Sequence, residues 1–60
     1  MLVIIEQFLR EFDMPPARFG RDCARDPRLV FDLRRGRRPG QRVMRRMEHF
    51  MNIYRRSMGQ

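Results

Sequence analysis

Arg25-Asp26-Pro27-Arg28-Leu29-Val30-Phe31-Asp32-Leu33-Arg34-Arg35-Gly36-Arg37-Arg38 carries the markers of a short helix with two unlike sides. Asp26 can accept hydrogen bonds from the free amides of a first turn, and Pro27 suits a position where no N–H is needed. Gly36 permits the left-handed residue that stops such a helix. At 3.6 residues per turn, Leu29, Val30 and Leu33 share one side and Arg28, Phe31 and Arg35 share the other. The pattern predicts a helix over 27–35 that anchors through its apolar side and leaves the cationic side free.

The flanking sequence predicts three more helices. Apolar residues at 2, 5, 8, 9 and 12 alternate with Glu6, Arg10, Glu11 and Asp13 at the helical period, which gives a helix over 2–13. Met14-Pro15-Pro16 breaks it, because proline cannot continue the hydrogen-bond ladder and disfavours helical geometry in the residue before it. Phe19 and Cys23, four apart, mark two turns over 16–24, followed directly by the cationic segment. Arg37 to Gly40 reads as a basic loop. Val43, Met44, Met47, Phe50, Met51, Tyr54 and Met58 then form a stripe on a closing helix over 40–57.

Charge is distributed unevenly along the chain. The net charge is +7, and all fourteen cations are Arg. Residues 1–14 set three acids against one Arg, a net of −2; residues 15–47 hold eleven Arg and three Asp, a net of +8; residues 48–60 add +1. The middle of the chain is where a polyanion would be held. Arginine's planar fork fits phosphate and the major-groove edge of guanine, although a GC-rich genome also produces arginine at the expense of lysine.

Sixty residues are expected to make one domain over 1–60, at a size where a single core struggles to offset chain entropy. Dimerisation or a bound partner would help, and Val3, Ile53 and Met58 are candidates for a dimer surface. One Cys and one His exclude an internal disulfide and any recognisable zinc pattern, so no metal or other cofactor is expected. Cys23 reads as packing, His49 as solvated. The opening apolar run ends at Glu6 without a preceding basic region or cleavage site, so neither a signal peptide nor a membrane span is expected, and the setting is a reducing one, the cytoplasm. No nucleophile is set beside a base and no glycine-rich phosphate loop occurs, which points away from an enzyme; nor does the chain have room for a small-molecule pocket.

Two short helices joined by a tight turn can cross steeply only where small residues let their backbones meet, and Gly20 and Ala24 are placed for that. From Gly20, Ala24 follows by four residues, Val30 by six more and Leu33 by three more. This spacing, with Arg18-Phe19-Gly20, Asp26-Pro27 and Leu33-Arg34-Arg35-Gly36, resembles the helix-turn-helix of the lambda repressor and Cro-like family. Two positions depart from the pattern: Ala24 stands where glycine is usual at the turn, and Met14-Pro15 precede a helix that Ser or Thr often caps.

The resemblance implies an all-α, four-helix fold that binds double-stranded DNA as a homodimer and regulates transcription, most simply as a prophage-type repressor. It places Arg28, Phe31, Asp32 and Arg35 at base edges. Arg28 would fork onto guanine; Phe31 would meet a thymine methyl, or lie in the core if the helix is rotated; Asp32 would accept from cytosine or orient Arg28 or Arg35. Arg18, Arg37, Arg38 and Arg42 flank the helix and suit phosphates. About five such contacts per subunit correspond to a salt slope of about −4.5, or about −9 for a dimer. A small basic inhibitor or antitoxin docking on an acidic protein is the alternative, and a membrane-surface role for the amphipathic last helix is a more distant one.

Overall fold

Helix α1 (Leu2–Glu11) forms because its apolar positions recur at the helical period, and Ile5, Phe8 and Leu9 are its buried side. These are the first elements of a computed structural model that describes residues 1–58. The chain leaves α1 through Phe12 and Asp13, whose φ is 50°, and the Met14 N–H returns to the Leu9 carbonyl at 2.9 Å. This left-handed stop ends the helix two residues before the expected 13. It also turns Met14 inward, where it is buried against the core, so a residue that reads as part of a helix breaker supplies packing as well.

Helix α2 (Pro16–Ala24) has the expected bounds, with Pro16 in its first turn, where a missing N–H costs nothing. Its end differs in one respect from the expected turn. The left-handed residue is Arg25, at φ 56°, while Ala24 remains the last helical residue. Asp26 N–H then donates to the Gly20 carbonyl at 3.1 Å. The backbone passes so near α2 that a Cβ on Gly20 would come within 2.1 Å of the Asp26 carbonyl oxygen.

Helix α3 (Leu29–Arg34) is shorter than the 27–35 expected from sequence. Asp26 Oδ1 does accept from Arg28 N–H at 3.0 Å, but Leu29 N–H bonds the Asp26 carbonyl three residues back, so the first turn is tighter than an α-helix and regular helix begins only at Leu29. At the other end Gly36, at φ +101°, lets Gly36 N–H reach Leu33 O at 3.1 Å and Arg37 N–H reach Asp32 O at 3.0 Å. That paired return is a Schellman stop.

Helix α4 (Gln41–Met58) starts one residue and ends one residue beyond the expected 40–57. Met47 and Met51 are buried and Val43, Met44, Phe50 and Tyr54 partly so, whereas Met58 is 61% exposed and does not extend the stripe.

The four helices share one core of Ile5, Phe8, Leu9, Met14, Phe19, Leu29, Val30, Leu33, Met47 and Met51. Phe8 is at its centre: its ring lies 4.8 Å from Phe12, 5.7 Å from Phe19, 5.5 Å from Tyr54 and 6.1 Å from Phe50, mostly edge to face. Aromatic packing of this kind ties α1, α2 and α4 together, while α3 rests mainly on α2. The radius of gyration of 10.7 Å is near the ~10 Å of a fully compact chain of this length, so little surface is spent on extended segments. No described helix is long and apolar enough to cross a membrane.

Candidate nucleic-acid interface

The outer side of α3 follows from what its inner side must do. Leu29, Val30 and Leu33 are buried, which leaves Arg28, Phe31 and Arg35 exposed, and Phe31 keeps 41% of its surface in solvent. Together with Asp32 these three line one shallow groove of about 420 Å³. The arrangement offers two guanidinium groups and one aromatic ring on one exposed side of α3.

Two sets of ion pairs flank this surface. Arg34, on the flank of α3, makes a two-pronged contact with Glu6 of α1, Nε to Oε2 at 2.7 Å and Nη2 to Oε1 at 2.8 Å. The Arg34 hydrogen bond lowers the Glu6 pKa below its ordinary value against a smaller opposing effect of burial. The same guanidinium lies 5.7 Å from the centre of the Phe31 ring and so helps fix that side chain's direction. Arg37 donates from Nη1 to both Asp26 Oδ2 and Asp32 Oδ2, each at 3.1 Å, and thereby joins the turn before α3 to Asp32 within it.

These pairings alter the roles assigned to several residues from sequence. Asp32 engages Arg37, not Arg28 or Arg35. Arg37 is drawn onto α3 by two carboxylates, and Arg18 pairs with Asp22 one turn on, Nε to Oδ2 at 3.4 Å. Arg38 and Arg42 are exposed and form no ion pair among the described residues, and the same holds for Arg28 and Arg35. Of the motif positions, Gly20, Val30 and Leu33 are buried, Ala24 and Asp26 are half-buried, and Gly36 is exposed in its left-handed turn.

One feature of the cationic surface escapes the sequence reading. Gln41, Arg42, Arg45, Arg46 and His49 line a broad, open concavity on α4. Positions 42, 45, 46 and 49 recur at helical spacing away from the Met47 and Met51 side, a periodic signal present in the sequence beside the stronger apolar stripe.

Cys23 is half-buried, with Sγ 4.0 Å from the Gly20 carbonyl, and burial pushes its thiol up to about 11. It is therefore a poor nucleophile at neutral pH. No group of three or more His, Cys, Asp or Glu among the described residues is placed to hold a metal ion. Compared with protein-family models, curated proteins and solved structures, the chain matches none.

Proposed function

We propose that this protein is a sequence-specific, double-stranded DNA-binding regulator of the helix-turn-helix kind, with α2 as the supporting helix and α3 as the helix that enters the major groove. It acts as a homodimer and represses transcription by occupying its operator. The observation that carries this is the division of α3: its apolar side is buried against the core, and its opposite side presents Arg28, Phe31 and Arg35 to solvent in one groove.

The dimensions agree with groove recognition. A helix is about 10–12 Å across with its side chains, which a major groove about 12 Å wide admits, and the six residues of α3 reach about 9 Å along it. Arg28 and Arg35 are seven residues apart, about 10 Å along a helix, or roughly three base-pair steps. Arg28 and Arg35, free of carboxylates, serve as the guanine-reading forks; Phe31 between them meets a thymine methyl. Asp32 holds Arg37, and so contributes shape more than readout. Arg38 and Arg42 take phosphates.

Selection of bound sequences from random duplex DNA tests the proposal directly. The expected result is a palindromic consensus, with Arg28→Ala and Arg35→Ala each costing about 1–3 kcal/mol of affinity for it and much less for other duplexes. Equal binding to every duplex, or unchanged affinity for the consensus in both variants, would rule out base reading by α3.

A further inference from the structure

Between α1 and α4 lies a second groove, of about 360 Å³, lined by Met1, Ile4, Glu48, Met51, Asn52 and Arg55. Its floor is apolar and Ile4 is 48% exposed on its rim. Its two charged residues are of opposite sign and seven positions apart on one side of α4, equidistant from the midpoint between Met51 and Asn52. We infer that this groove is the face through which two copies of the chain associate, antiparallel about a two-fold axis at Met51 and Asn52.

A stretch with that arrangement is complementary to itself. Reversing one copy about the midpoint sets its Glu48 against the partner's Arg55 and its Arg55 against the partner's Glu48, while the exposed Ile4 of each copy is covered by the other. Arg55 can serve both sides: it already contacts Glu11 of its own chain at 3.1 Å from Nη2 and lies 5.5 Å from the Phe8 ring, which holds it at the rim.

Charge excludes the other exposed faces. Each copy carries +7, so a copy is tolerated only where the local charge is balanced. The outer side of α3 presents Arg28 and Arg35, and in the groove between α2 and α4, where Ile53 lies, Asp22 is already engaged by Arg18 and Arg21, which leaves Arg46 unbalanced next to the Arg42 and Arg45 surface. Among the described residues, the groove between α1 and α4 sets the exposed Ile4 beside a Glu48 and an Arg55 that cancel, on a side where Glu6, Glu11 and Asp13 outnumber Arg10. This inference assigns a surface to the dimer proposed above, but its test contains no DNA, so failure of the dimer face and failure of DNA reading are separately visible.

Sedimentation equilibrium on the whole chain, from micromolar to millimolar protein, is the measurement. The expected result is a reversible monomer–dimer equilibrium that Glu48→Arg and Arg55→Glu each weaken about tenfold or more, since each reversal creates two like-charged pairs. An equimolar mixture of the two variants should recover a heterodimer, because opposite charges then face each other at both contacts. A purely monomeric wild type, or variants that fail to rescue one another, would overturn the assignment. Should Arg55→Glu fail to fold through loss of its Glu11 contact, Ile4→Glu replaces it: that change must weaken self-association to the same degree, and wild-type self-association in Ile4→Glu would equally overturn the assignment.

Discussion

Glu6 and Arg34 stand twenty-eight positions apart in the chain yet form the shortest ion pair among the described residues, and the consequence is positional. Arg34 belongs to the six-residue helix that carries the candidate reading face, so its fork onto α1 fixes how that helix is rotated and where Phe31 points. Because the folded pKa of Glu6 is lowered, the contribution is present above the unfolded carboxylate pKa and lost as pH falls through the folded one. Glu6→Gln should therefore lower the thermal midpoint modestly at neutral pH, with the difference from wild type shrinking as pH falls below the ordinary carboxylate range and Glu6 takes up its proton. Melts of both proteins across that range check it; a constant difference would mean that the effect is not carried by the charge. No periodicity could have revealed this pair, since sequence patterns describe neighbours within a helix. The same holds for Arg37: its place among the basic residues after Gly36 suggests a phosphate ligand, and only the fold brings Asp26 and Asp32 to it.

Among the elements, those defined by repetition were legible and those defined by their ends were less so. Pro16 and the spacing of Phe19 and Cys23 delimit α2 directly, and the buried sides of α1 and α3 follow from their apolar periods. The ends of α1 and α3 differ from expectation because Asp13 adopts a left-handed conformation that costs glycine little and aspartate more, and because Asp26 closes a tight turn ahead of the helix proper. Gly20 is where the junction of α2 and α3 is most sensitive. Its hydrogen occupies the only space left by the Asp26 carbonyl, and Leu29 Cβ is 3.1 Å from where a Cβ would be. Gly20→Ala should destabilise the fold by about 1–3 kcal/mol through displaced backbone, a large share of the stability of a sixty-residue chain. Gly36→Ala, by contrast, meets no atom and should cost about 1 kcal/mol through its φ of +101° alone. Urea denaturation distinguishes the two; equal tolerance of alanine at both sites would mean that α3 can shift on α2 without loss.

Across the whole molecule, the decisive quantity is how many of fourteen arginines remain available to a polyanion after the fold has placed its seven acids. Arg18, Arg21, Arg34, Arg37 and Arg55 face carboxylates, whereas Arg28, Arg35, Arg38 and Arg42 form no ion pair among the described residues. An arginine already balanced by a carboxylate gives up that partner to bind phosphate and leaves the acid beside the DNA, so it releases fewer counterions than an unpaired one. If α3 reads duplex DNA as proposed, Arg38→Ala and Arg42→Ala should each flatten the dependence of log K on log salt by about 0.9 per subunit, the amount expected for one phosphate contact. Arg18→Ala and Arg37→Ala should flatten it distinctly less. Fluorescence anisotropy on one labelled duplex over a salt series measures all four. Slopes reduced alike by the paired and the unpaired arginines would mean that the Asp22, Asp26 and Asp32 contacts do not persist in the complex, and the cationic surface would then have to be redrawn around Arg18 and Arg37 as well.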